Sequence, residues 1–356
     1  MSSVIGNRIK LCVFGESHGE AIGCVIDGLP CGIKLDFDRI NADMARRAPG
    51  SSVSTRRVET DIPRILSGVK DGVTTGAPLA VLIENENAVS SDYESFSYVP
   101  RPSHSDYPAF VKFSGNNDIR GGGHFSGRLT APLVFAGAIA KQALEAKGVT
   151  VGAHIKRIGS VSDTPFDMNG VSKEQLEALT SKAFSVIDDE AEEKMRAEIE
   201  KYKADLNSIG GEIECAAIGL PVGAGGNMFD TVEGVLSAYL FGIPAVKGVQ
   251  FGLGFGFANA DAKAVNDEYE IKDGRVALKS NNNGGVLGGM TSGAPLIVSV
   301  AVKPTPSIPC AQNSVNLKTM QNEKLTVNGR HDPCIVPRAV AAVEAAVALG
   351  LLDILS

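Results

Sequence analysis

Short apolar runs broken by polar loops, and a few stripes at helical spacing, set out the elements of this chain. Ile9-Lys-Leu-Cys-Val-Phe14 and residues 22–27 have the apolar density of strands and flank the polar loop Gly15-Glu-Ser-His-Gly-Glu20. Asp36 is placed as the N-cap of a helix that carries Phe37, Ile40 and Met44 on one face, and Ala48-Pro-Gly50 ends it after Arg47. Strands are predicted around 65–70 and 79–84. Residues 128–147 form the most apolar helix, with Gly148 as its stop; its first half is apolar nearly all round, which predicts burial between layers. Ser172-Lys-Glu-Gln175 is a capping box that opens another helix. Residues 188–206 are charge-rich but carry Ala191, Met195, Ile199 and Tyr202 at helical spacing, a solvated helix with one apolar stripe. A helix near 231–241, a hairpin through Lys272-Asp-Gly274 and a closing helix from Pro337 to about Leu355 complete the pattern. Runs of strands between few long helices, with no regular βαβ rhythm, predict a mixed α/β layered fold. With no repeat and no dividing linker, residues 1–356 read as one domain.

Composition narrows the class. An apolar fraction of 44% with 21% charged residues excludes intrinsic disorder. The formal net charge of −7 argues against nucleic acid as a partner. There is no basic segment leading into a long apolar stretch at Met1 and no run of eighteen apolar residues, so neither a secretory signal nor a membrane span is expected. The six cysteines form no CxxC pair, and Cys12 sits inside a strand pattern as a buried, inert thiol; a reduced, cytoplasmic location follows. The 40 glycines, about 11% of the chain against a usual ~7%, have no collagen-like period and imply many special backbone positions.

The arginines are unevenly spread. Ten of fifteen lie in Gly- and Pro-rich stretches: Arg46, Arg47, Arg56, Arg57 and Arg64; Arg101, Arg120 and Arg128; Arg330 and Arg338. His18, His104, His124 and His331 share such neighbourhoods, whereas His154, in Val151-Gly-Ala-His-Ile155, reads as a structural histidine. Loop arginines can serve solubility alone. Rigid turns that hold a guanidinium in place serve a different need, because the planar fork binds two oxygens of a carboxylate or phosphate. A small, multiply charged anion is therefore the expected ligand. Adjacent Ser17 and His18 do not make a nucleophilic pair, since no GxSxG elbow is present; a proton-donating histidine fits better. Arg120-Gly-Gly-Gly-His-Phe-Ser-Gly-Arg128 is a glycine-rich turn running into the apolar helix, neither a Walker A loop nor GxGxxG, and it can offer N–H groups to an anion. The histidines with Asp106, Asp118 and Asp332 show no HxH or HExxH spacing, which counts against a metal site.

Taken together, these segments resemble the chorismate synthase family along essentially the whole chain. The match includes Phe14-Gly-Glu-Ser-His-Gly19, Asp27-Gly-Leu-Pro30, Arg46-Arg-Ala-Pro-Gly50, Gly72-Val-Thr-Thr-Gly76 and Arg101-Pro-Ser-His104. It continues with Gly121-Gly-Gly123, Val246-Lys-Gly-Val249, Gly284-Gly-Val-Leu-Gly-Gly289, Lys303-Pro-Thr305 and Gly329-Arg-His-Asp-Pro-Cys334.

The resemblance implies an α+β fold, a β-α-β sandwich with central helices between antiparallel sheets, assembled as a homotetramer. It implies loss of phosphate from 5-enolpyruvylshikimate 3-phosphate to give chorismate, with reduced FMN required, no net redox change, and an external flavin reductant. His18 matches the histidine that protonates the leaving phosphate, His104 the one near the flavin N1/O2 edge, and Asp332 the aspartate that assists proton removal through the flavin N5. Arg47 and Arg128, with Arg46, Arg57 and Arg101, match the substrate pocket. His124, Phe125, Ser126, Ala245, Gly288, Lys303, Pro304, Thr305, Pro306, Ser307 and Arg330 fall at flavin-binding positions. The chain departs from the family pattern at His124-Phe125, where Arg-Ser is usual, and at Pro306, where a serine is usual; Pro306 removes a hydroxyl and an N–H donor.

Overall fold

The computed structural model describes residues 3–48, 61–85, 98–327 and 332–356. The first apolar runs become β1 (Val4–Ile5), β2 (Lys10–Gly15) and β3 (Ala21–Asp27), joined by β4 (Arg64–Ser67) and β5 (Leu79–Glu84) in an antiparallel sheet of order β1-β2-β3-β5-β4. In β5, Leu79, Val81 and Ile83 are buried while their neighbours are partly exposed, the alternation of a sheet covered on one face. A second antiparallel sheet, of order β9-β10-β8-β6-β7, is built from β6 (Thr150–Ile158), β7 (Val161–Ser162), β8 (Gly211–Ile218), β9 (Val246–Phe251) and β10 (Leu296–Val302).

Between the sheets lie α1 (Phe37–Arg47), α3 (Thr130–Glu145) and the C-terminal α7 (Val336–Ile354), while α2 (Asp106–Lys112), α4 (Lys173–Ser181), α5 (Asp189–Ala204) and α6 (Val232–Phe241) complete the helices used below. Helix α3 packs on β3, α7 packs on β6 and β8, and the two helices pack on each other. This is the β-α-β sandwich, an α+β fold. A Cβ at Gly137 would sit 2.2 Å from that of Ala345, so glycine is what lets α3 and α7 cross so closely. One apolar core runs from Ile9 through both sheets and both helices to Leu352. On the outer face of the second sheet, α4 adds Leu176 and Leu179 to Phe166, Ala216 and Ile297, which explains why β6 is buried on both sides.

The helix spacing and caps carry over closely. Asp36 caps α1 by accepting from Arg39 N–H at 3.1 Å, Ser172 caps α4 through Gln175 N–H at 3.1 Å, and Gly148 takes φ 80° just beyond α3. Cys12 departs from expectation: it is only half-buried, because Leu11 is the residue of β2 turned toward the core. Helix α2 and the hairpin of Gln312–Asn316 with Gln321–Leu325 are not signalled by the apolar pattern.

Two buried ion clusters lock the layers. Glu344 of α7 receives Arg46 at 2.7 and 2.8 Å, Lys141 at 3.2 Å and the Ala153 N–H at 3.1 Å, while Lys141 also reaches Asp43 at 2.6 Å. Burial alone would raise the Glu344 carboxyl, but the two cations outweigh it and hold the carboxyl low. His154, with no exposed surface, lies between Asp163 at 2.8 Å and Glu214 at 3.2 Å; burial opposes its charge, but the two carboxylates prevail and raise its pKa.

Candidate active site

The turn between β2 and β3 carries His18, and the glycine-rich turn is folded against it. Gly121, Gly122 and Gly123 take φ of 60°, 88° and 54°, left-handed values that suit only glycine well. A Cβ on Gly121 would lie 2.4 Å from His18 Cδ2, and one on Gly122 would lie 3.4 Å from His104 Cε1 and Nε2. Consecutive glycines thus touch the two histidines that stand 86 positions apart. Ser17 N–H donates to Gly123 O at 3.1 Å, which fixes the two turns together. His124 adds a second tie, its Nδ1–H donating to Gly15 O at 2.8 Å while Nε2 accepts from Ser3 Oγ at 2.8 Å. Both ring nitrogens of His124 are thereby used within the chain, and the ring latches the turn. Phe125 is partly exposed with its ring 6.3 Å from Phe113, and Ser126 accepts from Arg128 N–H at 3.3 Å to start the helix.

His104 is oriented by its own loop. Its Nδ1–H donates to Asp106 at 2.6 Å, which leaves Nε2 on the Gly122 side. Arg101 grips the same carboxylate through Nε at 2.7 Å and Nη2 at 2.8 Å, and reaches Ser307 Oγ through Nη1 at 3.3 Å. Burial works against the Asp106 anion, but the hydrogen bonds from Arg101 and His104 win and drive its pKa far below the ordinary carboxylate range. Arg101 therefore orients His104 and Ser307 through its bidentate hold on Asp106.

The Lys303–Ser307 segment follows β10 into this loop. Lys303 Nζ donates to Ser103 O at 2.6 Å, and its N–H donates to Ala245 O at 2.9 Å, with Ala245 at φ 76°. Burial, with Lys247 nearby, lowers the Lys303 pKa. Thr305 O accepts from Ser208 Oγ at 2.7 Å, but its buried Oγ1 has no hydrogen-bond partner among the described residues. Pro304 packs on Gly210, where a Cβ would lie 3.0 Å from its Cδ, and Pro306 stands between Thr305 and Ser307. Gly288, at φ 59° in the turn joining Val286–Leu287 to Met290–Thr291, has open space where a Cβ would be, and no described hydrogen bond joins it to this segment.

Arg47 and Arg128 converge on one carboxylate. Arg47 Nη1 donates to Asp61 at 2.7 Å, Arg128 Nη1 donates to the other Asp61 oxygen, and all three side chains are buried. The shared carboxylate holds two guanidinium groups side by side in a dry place, where their remaining donors can meet the oxygens of an anion. Asn85, at the end of β5, accepts from Arg128 Nε at 3.1 Å and donates to Glu16 O and Gly19 O of the His18 turn. Asp332 pairs with Arg338, whose Nε donates to Arg47 O at 3.0 Å, so that carboxylate is tied to the same end of α1.

Arg46 is separated from this group. It points into the α1–α7 interface and gives its donors to Glu344, Asp43 and Ser185, because α1 turns successive side chains roughly 100° apart. Arg57 and Arg330 lie outside the described residues. Asp61 and Asn85 carry no site signal in the sequence. Asp106 stands two residues after His104 in the same Pro-bounded loop, and Arg338 is one of the clustered arginines, without a role of its own.

Chemically, the arrangement brings two guanidinium groups sharing Asp61 together with two histidines and the Asp332 carboxylate, groups able to hold an anion and to move a proton. The chorismate synthase family profile matches residues 9–355. Chorismate synthase of Thermococcus gammatolerans is 48% identical over 348 residues, covering 98% of this chain and 96% of that protein. Chorismate synthase of Lancefieldella parvula is 43% identical over 366 residues, covering 100% of this chain and 96% of its own. A crystal structure of a chorismate synthase superposes with a TM-score of 0.76 at 28% identity, covering 98% of this chain and 92% of that one. This chain belongs to the chorismate synthase family and is an enzyme of that type, a lyase.

Proposed function

We propose that the protein converts 5-enolpyruvylshikimate 3-phosphate into chorismate and phosphate by a 1,4-anti elimination that requires reduced FMN. The observation that carries this reading is the shared clamp of Arg47 and Arg128 on Asp61, bound through Asn85 to the His18 turn. A substrate with a phosphate and two carboxylates suits a buried site where two guanidinium groups stand side by side. In this reading Arg47 and Arg128, with Arg57, hold the anionic groups. His18 donates a proton to the departing phosphate oxygen, so the C–O bond breaks without leaving a fully charged trianion. His104, locked by Asp106 and Arg101, turns Nε2 toward developing negative charge and, as an imidazolium, donates to it while Nδ1–H stays on Asp106. Asp332 assists removal of the ring proton, held in place by Arg338. The electrons of the broken C–H bond form one new double bond, the ring's existing double bond shifts onto the carbon that carried the phosphate, and the phosphate leaves with the electrons of the C–O bond.

The Lys303–Ser307 segment fits a phosphate-bearing cofactor. It offers a partly buried ammonium, the orphan hydroxyl of Thr305 and the hydroxyl of Ser307, which Arg101 orients. Lys303, Thr305, Ser307 and Ala245 would hold FMN, with Ser126, Pro304, Pro306, Gly288 and Arg330 as further contacts. Reduced FMN, when bound, supplies transient electron density to the breaking C–O bond with no net redox change. A homotetramer, an external flavin reductant, a cytoplasmic location, no nucleic-acid partner and one domain over residues 1–356 belong to the same reading; the continuous core from Ile9 to Leu352 supports the last. No described helix is long and apolar enough to cross a membrane. The test is anaerobic mixing of the substrate with enzyme and reduced FMN, followed by chorismate absorbance and phosphate release. Absence of both products would refute the reading.

A further inference from the structure

The geometry points to Asn85 as a positioning residue that sets the His18 turn and the Arg128 guanidinium with one side chain, an inference that rests on the roles proposed above for those two residues. Carbonyl oxygens only accept and a guanidinium only donates, so the network fixes which end of the amide is which. Oδ1 accepts from Arg128 Nε at 3.1 Å, and Nδ2 donates to Glu16 O at 3.0 Å and to Gly19 O at 2.9 Å. Gly19 N–H also donates to Glu16 O at 3.1 Å, closing a turn of which His18 is the third residue. Asn85 Nδ2 therefore holds both ends of the turn on which the proton donor rides. The Asn85 N–H donates to Glu20 O at 3.1 Å, so the backbone at 85 is itself anchored where β5 pairs with β3.

No other side chain of this length can do this. Aspartate accepts from Arg128 but cannot donate to two carbonyls, alanine does neither, and glutamine is one methylene too long for an anchored backbone. The consequence is geometric coupling: the arginine that holds the anion and the histidine that protonates it share one rigid support, which fixes their separation. Displacements near 1 Å in such an arrangement cost roughly a hundredfold in rate.

The experiment uses the full-length enzyme, with Asn85→Asp and Asn85→Ala compared with wild type. Asn85→Asp keeps the Arg128 acceptor and turns an anion on two carbonyls, so kcat should fall at least about tenfold while KM stays within about threefold. Asn85→Ala loses both ends, so kcat should fall and KM rise together. In parallel, ring signals of His18 in 15N-histidine spectra should shift in both variants, and melting temperatures report the folded fraction. Kinetic constants and His18 signals equal to wild type in both variants overturn the inference, as do losses that vanish once corrected for folded fraction. A wild-type enzyme that makes no chorismate refutes the functional reading instead, and the His18 spectra then decide the role of Asn85 without turnover.

Discussion

The His18 imidazole rests on the main chain of Gly121: a Cβ at that glycine would come within 2.4 Å of its Cδ2 and 2.7 Å of its Nε2. The absence of a side chain at 121 is thus part of how the histidine is aimed. Gly121→Ala should lower kcat by about a hundredfold, since the ring must move aside. The left-handed φ of 60° adds a backbone cost of about 1–2 kcal/mol. Gly148→Ala separates the two effects, because Gly148 has φ 80° but open space around a Cβ. It should lose similar stability and keep full turnover, measured as kcat beside thermal midpoint.

Asp106 holds His104 and Arg101 together, and its lowered pKa gives the pH range over which that hold lasts. A carboxyl depressed in the folded state contributes stability above its unfolded value of about 3.9 and loses it as pH falls through the lower folded value. Activity should therefore show no loss from this group across the mildly acidic range. Asp106→Asn leaves Arg101 buried without its counter-ion, at a cost of about 3–5 kcal/mol, and frees the His104 ring. Denaturant midpoints and kcat measured together check both effects.

His154 has the opposite sign. Its pKa is raised against the pull of burial by Asp163 and Glu214, while Lys156 also faces Glu214 at 2.8 Å. Its contribution is complete below the unfolded value of about 6.5 and is lost as pH rises through the folded value. His154→Gln should cost about 3–5 kcal/mol at pH 6, and the gap to wild type should narrow steadily as pH rises. Equal gaps at all pH values would show that the ring is not charged.

Arg46 and Arg47 are neighbours in sequence with different duties. Arg46→Met removes one of the two cations on buried Glu344 and should destabilise by about 3–5 kcal/mol, leaving KM of the folded fraction unchanged. Arg47→Lys keeps the charge but loses the two-pronged grip, and should raise KM about tenfold or more with little loss of stability. A KM effect from Arg46→Met would return it to the anion pocket.

Much of this was legible in sequence because it rests on local rules. The Asp36 and Ser172 caps, the Gly148 stop and the all-round apolarity of α3 place three helix ends and the buried layer within about two residues. His18, His104, Arg47 and Arg128 stood out by the company of Gly and Pro. What sequence did not reveal depends on distant partners. Asn85 looks like the polar end of a strand until β5 is paired beside β3. Asp61 has no local pattern that marks it as the anchor of two arginines. Arg46 was grouped with Arg47 because adjacency is visible in a sequence, whereas the direction of each side chain depends on Glu344, 298 positions away. His124 differs similarly: only the fold brings Ser3 and Gly15 to its two nitrogens.

The proposed reaction is an elimination that needs reduced flavin and consumes none. Its most direct measurement mixes enzyme, 5-enolpyruvylshikimate 3-phosphate and dithionite-reduced FMN without oxygen, counting chorismate, phosphate and recovered reduced flavin. The expected result is chorismate and phosphate in equal amounts over many turnovers, reduced flavin fully recovered, and no product with oxidised FMN. Product formation with oxidised FMN, phosphate without chorismate, or reduced flavin consumed in step with product would contradict it.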